Sequence, residues 1–173
     1  MLLKNNSLRV AEWFFKYPGK TYHIRELSRL TKLSTTAVVK VVKELKAELI
    51  VISKKERNAE LIRPDFEGKF ALAKTLYNIY SLHECGLVDF LKEELEQPEA
   101  IVLFGSYGNG TDTEKSDVDI AIVSPSKEVG LGEFEDKLAR KVSLHFIDPK
   151  KADKPFKNSL ANGVVLWGFL EIV

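Results

Sequence analysis

The sequence predicts an α+β chain of two domains: three short helices and a β-hairpin first, then a helical connector, then a mixed sheet with flanking helices. Apolar residues follow a helical spacing through most of residues 5–49. After residue 97 short apolar runs bounded by turn residues take over, among them "EAIVLFGS", "DVDIAIV" and "RKVSLHFID". Charge divides the same way. The net charge is +1, yet residues 1–66 hold 14 Lys+Arg against 7 Asp+Glu and the remainder holds 12 against 18. A basic first part suits a polyanion, and the acidic remainder implies a different task. The expected boundaries are 1–63, 64–96 and 97–173.

At 45% hydrophobic and 29% charged, the 173 residues suit a folded chain with a sizeable core. No apolar run approaches the ~20 residues that span a bilayer, and no leader-like segment opens the chain, so the expectation is a cytoplasmic protein with no membrane partner. Cys85 is the single cysteine, which excludes an intrachain disulfide and a cysteine-rich zinc site. Its expected state is a buried, inert thiol.

In "NNSLRVAEWFFKYPGK" the apolar residues Leu8, Ala11, Phe14 and Phe15 share one helix face, and Pro18 with Gly19 stops it. Ile24, Leu27 and Leu30 mark a second short helix. Ser34 reads as the N-cap of a third, whose inward face is Val38, Val41, Val42 and Leu45, continued by Leu49. "LIVISKKERNAELIRP" places two extended pieces around a polar turn at Glu56 to Ala59, a hairpin.

This order, over residues 5–63, resembles the winged helix-turn-helix DNA-binding domains of bacterial and archaeal regulators. The resemblance puts "STTAVVKVVKELKAELI" on the recognition helix. The face opposite the core holds Thr36, Val39, Lys40 and Lys43, a mix suited to base edges and phosphates. The implied contacts to double-stranded DNA are Ser34, Thr35, Thr36, Lys40 and Lys43, with Lys54, Lys55 and Arg57 on the wing. A solvated helix face beside a charged hairpin is the alternative. Glu48 stands where such domains often have glycine.

Residues 64–96 show apolar rows at Phe66, Phe70, Ala73, Tyr77 and Tyr80 and at Leu72, Leu76, Ile79 and His83, with Gly86 dividing two helices. Two apolar faces suit either packing between domains or pairing into a homodimer that presents two recognition helices. His83, Glu84 and Cys85 are neighbours in sequence but cannot face one point on a helix.

"EAIVLFGS" reads as a buried strand ending at Gly105, and "DVDIAIV" as the next strand after a glycine-containing turn region. On that strand Asp117 and Asp119 project from one face while Val118, Ile120 and Ile122 project from the other. Two like charges so placed are accommodated by a divalent cation, and hard oxygen ligands suit Mg²⁺. Glycines allow close approach of phosphate, to which Ser106 can donate.

Gly105, Ser106, Gly110, Ser116, Asp117 and Asp119 together resemble the motif of the DNA polymerase beta nucleotidyltransferase superfamily, in its minimal branch, over about residues 97–170. The resemblance implies that Asp117 and Asp119 hold Mg²⁺ (or Mn²⁺) against a nucleoside triphosphate and that Gly105-Ser106 grips its β and γ phosphates. It further implies that a protein or small-molecule hydroxyl attacks the α-phosphorus, with pyrophosphate leaving. The tail "FKNSLANGVVLWGFLEIV", a helix ending near Gly163 and a strand with Trp167, has the same resemblance; Trp167 is expected in a core or interface.

Family members carry a third carboxylate on the following strand. Here Ser143 stands in that place, with His145 as its same-face neighbour, and Asp148 lies on the opposite parity. Asn109 stands where relatives often have arginine. Three readings stay open: a metal-dependent transferase in which His145 is a third catalytic residue or ligand, a regulator whose impaired transferase domain senses nucleotide, and an antitoxin-like transferase.

Overall fold

The computed structural model describes residues 5–56 and 59–172. The chain divides into two compact units, residues 1–74 and 75–173. Both are α+β, and each carries one sheet.

The first unit opens with α1 (Asn6–Lys16), capped by the Asn5 side chain, which accepts from Leu8 N at 2.8 Å. A two-residue strand, β1 (Tyr22–His23), leads into α2 (Ile24–Thr31), which ends where Lys32 turns left-handed at φ 54°. In α3 (Thr35–Ala47) the Ser34 hydroxyl caps the start by accepting from Ala37 N at 3.2 Å. Val10, Phe14, Phe15, Leu27, Val38 and Val42 close the core, each fully buried aromatic or large aliphatic side chain contributing about 1.5–3 kcal/mol relative to an exposed one. β2 (Val51–Glu56) and β3 (Ala59–Pro64) pair antiparallel, and β1 joins on the far side of β3, giving the order β1-β3-β2. Lys46 fastens α3 to the hairpin by donating to Ser53 at 2.6 Å and pairing with Glu60 at 3.3 Å, and hydrogen bonds from Ser53 and Lys46 hold the Glu60 carboxyl below its ordinary range.

Three expectations about this unit change. Leu49 does not continue the inward face of α3: it is 49% exposed, because the chain turns there through a left-handed residue, φ 58°. Glu48 has an ordinary φ of −82°, so the demand that glycine would meet falls one residue later than the sequence suggested. Leu30 also stays exposed while Leu27 fills the core.

Between the two sheets in chain order come α4 (Phe70–Glu84) and α5 (Leu87–Glu94), divided as expected at Gly86, which sits at φ 86°. Neither expected apolar row of α4 is the buried one. The buried stripe is Phe70, Lys74, Asn78 and Leu82, spaced i, i+4, whereas Leu72 and Leu76 are exposed and Phe66 lies in the turn before the helix. Hydrogen bonding makes the difference for Asn78, whose partners lie inside the second unit. Cys85 is half-buried rather than buried as expected, and desolvation pushes its thiol up from the usual range.

The second unit contains β4 (Ala100–Phe104), α6 (Gly105–Gly108), β5 (Val118–Val123), α7 (Gly132–Leu138), β6 (Val142–Phe146), α8 (Lys154–Ala161) and β7 (Val164–Gly168). The sheet order is β6-β5-β4-β7, with β5 and β6 parallel across the α7 connection and the other pairs antiparallel. Alternation sorts the central strands onto two faces. Ile101, Leu103, Val118, Ile120 and Ile122 pack with Leu82, Leu87 and Leu91, while Ala100, Val102 and Ala121 pack with Leu160. Trp167 belongs to neither core: it is 39% exposed, with the Lys92 ammonium 4.0 Å from its ring centroid. Among the described residues no helix is long and apolar enough to cross a membrane.

Candidate functional site

The candidate residues gather where β4 ends and β5 begins, because antiparallel pairing sets the last residue of β4 against the first turn of β5. Phe104 is the register partner of Asp119, and Asp119 is in turn the partner of Ser143 on β6. Its neighbours of the same parity on β5, Ala121 and Val123, enter the second core. Asp119 escapes that burial by standing at the strand's start, where its side chain keeps 32% exposure.

Gly105 follows Phe104 immediately, with φ 72°. A Cβ at this position would lie 2.7 Å from Asp119 Oδ2, so the absent side chain is what lets the turn lie against the carboxylate. Gly105→Ala is expected to lower stability by about 1–2 kcal/mol through left-handed strain alone and to displace Asp119 as well. Thermal melting of the full chain measures the first effect. Ser106 follows in the four-residue α6, and its carbonyl accepts from Asn109 N and Thr111 N at 3.2 and 3.1 Å, folding the turn back on itself. Gly110 takes a left-handed φ of 68° and is buried.

Ser116 and Asp117 precede β5. The Ser116 hydroxyl accepts from Thr113 N at 3.0 Å, so it closes its own turn. Asp117 is exposed and lies one residue outside the strand in which the sequence placed it. It lines a cavity of about 680 Å³ with Ser116, Glu135, Arg140 and Lys141, whereas Asp119 turns toward Gly105 and His145.

Ser143 occupies the register position beside Asp119 that the motif assigns to a third acid. His145, two residues on, places Nε2 3.4 Å from Asp119 Oδ1 and packs edge-on against Phe104, centroids 5.2 Å apart. It is therefore an aromatic neighbour and a hydrogen-bond partner of Asp119 at once. Asp148 is not a substitute acid. The β5–β6 register runs unshifted, and Asp148 lies past the far end of β6, where bonds from Lys151 and the Lys150 backbone hold its carboxyl below the usual range. Among the described residues no three His, Cys, Asp or Glu side chains gather at one point. Two carboxylates are nevertheless a donor set that suits Mg²⁺ arriving with phosphate ligands of its own.

A polar cluster beneath the glycine turn was not foreseen. Asn78 Nδ2 donates to the Tyr107 carbonyl at 2.8 Å and to Asp112 Oδ1 at 2.9 Å, Tyr107 Oη lies 3.1 Å from Ser81 Oγ, and Arg140 faces Asp112 Oδ2 at 3.8 Å. Burial pushes the Tyr107 phenol up to about 12, so it stays neutral. The only sequence signal was an asparagine interrupting an apolar helix.

Of the remaining candidates, Ser34, Thr35, Thr36, Lys40 and Lys43 are all exposed along one side of α3, the first engaged as its cap, and Lys54 and Lys55 are exposed on β2. Arg57 lies outside the described residues.

Residues 84–166 match the family model described as nucleotidyltransferase domain. This supports a nucleotidyltransferase-like C-terminal domain and nucleotidyl transfer as its general chemistry. No curated protein matches the chain.

Proposed function

We propose that the second unit binds a nucleoside triphosphate and transfers its nucleotidyl group to a hydroxyl of a protein or small molecule, and that the first unit is a winged helix-turn-helix that holds the protein on double-stranded DNA. The observation that carries the transferase reading is the approach of the Gly105 turn to Asp119, which sets a backbone bare of side chain beside a carboxylate. Asp117 and Asp119 are the residues that would hold Mg²⁺ or Mn²⁺, which when bound supplies charge neutralisation for the phosphates. Backbone groups of the 105–110 turn and the Ser106 hydroxyl orient the triphosphate. Phe104 and Phe156, with ring centroids 5.4 Å apart, flank the His145 side of the site. In this reading His145, 3.4 Å from Asp119, is the residue that would accept a proton from an incoming hydroxyl.

Incubating the full chain with Mg²⁺ and each labelled nucleoside triphosphate, in the presence of cell extract, tests the reading: transfer of label to an acceptor supports it. A second reading has its own observation. Ser143 beside Asp119 leaves the acid of the acceptor side absent, which favours a protein that binds nucleotide without transferring it and uses occupancy to regulate DNA binding. Bound label with no transfer supports that alternative.

For the first unit, the support is the order helix, helix, helix, hairpin together with the exposed lysines of α3 and β2. Retention of the full chain on duplex DNA is expected to fall with salt. Lys40→Glu with Lys43→Glu is expected to weaken it and to reduce the salt slope by about 0.9 for each phosphate no longer neutralised. Retention that ignores salt would count against DNA binding.

A further inference from the structure

We propose that Asn78 is a positioning residue that holds the 105–112 loop in its phosphate-receiving form, an inference that rests on the nucleotide reading above. The loop contains two left-handed glycines, at φ 72° and 68°, and glycine backbones have many alternatives to those values. Two backbone hydrogen bonds beyond those of its short helix converge on the Ser106 carbonyl and shape the middle of the loop.

One amide on α4 reaches both limbs of this loop. The two hydrogens of Asn78 Nδ2 reach the Tyr107 carbonyl on the outgoing limb and Asp112 Oδ1 on the returning limb, at 2.8 and 2.9 Å. Asn78 and Asp112 are each 2% exposed, so water does not compete for these bonds. Ser81, one turn further along α4, meets the Tyr107 hydroxyl at 3.1 Å and adds a second anchor on the same limb. A serine at position 78 could donate only one hydrogen and an aspartate none, which is why the amide suits this place. Asn78 does not touch the proposed phosphate position itself; it acts through the backbone of Tyr107 and the carboxylate of Asp112.

The test uses the full chain and two variants, Asn78→Ser and Ser81→Ala, with MgATP, MgGTP, MgCTP and MgUTP as probes. Hydrogen exchange of the amides at 106–111 is measured without nucleotide, and dissociation constants are measured by titration. For Asn78→Ser the loop amides are expected to exchange about tenfold faster while the β4 and β5 amides stay protected, and whichever nucleotide binds the wild type is expected to bind about tenfold more weakly. Ser81→Ala, which removes one anchor at a partly exposed position, is expected to shift both readouts in the same direction by less. It serves as the test if the first variant fails to fold. Loop protection equal to wild type, or a loosened loop with unchanged affinity, overturns the inference. A wild type that binds none of the four overturns the nucleotide reading and the inference with it. The exchange data then show separately whether Asn78 restrains the loop.

Discussion

Asp117→Ala combined with Asp119→Ala is expected to remove Mg²⁺-dependent nucleotidyl transfer, by on the order of a thousandfold or more, and to leave the melting temperature within a few degrees of wild type. The scale follows from the several kcal/mol of transition-state stabilisation that a bound metal contributes, at about 1.36 kcal/mol for each factor of ten. Stability is spared because Asp117 is exposed and the Asp119 side chain keeps 32% exposure, so neither loss opens a cavity. The control is Asp148→Ala, which removes an acid past the other end of β6 and is expected to leave transfer unchanged. Labelled product formed at wild-type rates by the double variant would sink the assignment of these two aspartates.

The largest stability effect is expected from Arg140→Met, at about 3–5 kcal/mol, because it removes the guanidinium charge facing a carboxylate that is only 2% exposed. Arg140 is itself nearly buried, donates to the Ala139 carbonyl at 2.9 Å and stands just before β6. Loss of its charge therefore falls on the returning limb of the glycine loop through Asp112. The two tryptophans lie one in each unit, Trp13 and Trp167, so urea unfolding followed by fluorescence in a Trp13→Phe background reports on the second unit. A midpoint unchanged from that background would show that the pair contributes nothing.

How much of the molecule was legible beforehand depended on range. Helix starts were readable where the cap lies beside the helix in sequence: Ser34 before α3 needs only its own hydroxyl and Ala37 N. The division at Gly86 was readable for the same reason. The strands carrying the candidate site were readable from alternation, and the placing of Ser143 beside Asp119 came from matching one short motif. The buried stripe of α4 was not readable, because Asn78 is buried by virtue of partners 29 and 34 residues away. Leu49 was misassigned because periodicity continues a helix face past the point where the backbone turns left-handed.

Residue type and spacing alone set an apolar strand before Gly105-Ser106 and two acids spaced one apart at the entry to the next, of which the strand itself takes in only Asp119. Only the tertiary structure decided that the missing side chain of Gly105 makes room for the Asp119 carboxylate, that His145 meets that carboxylate, and that Asn78 ties both limbs of the loop. The physical reason is that propensity and periodicity act over a few residues, whereas these contacts depend on strand register and burial, which exist only once the sheet has formed.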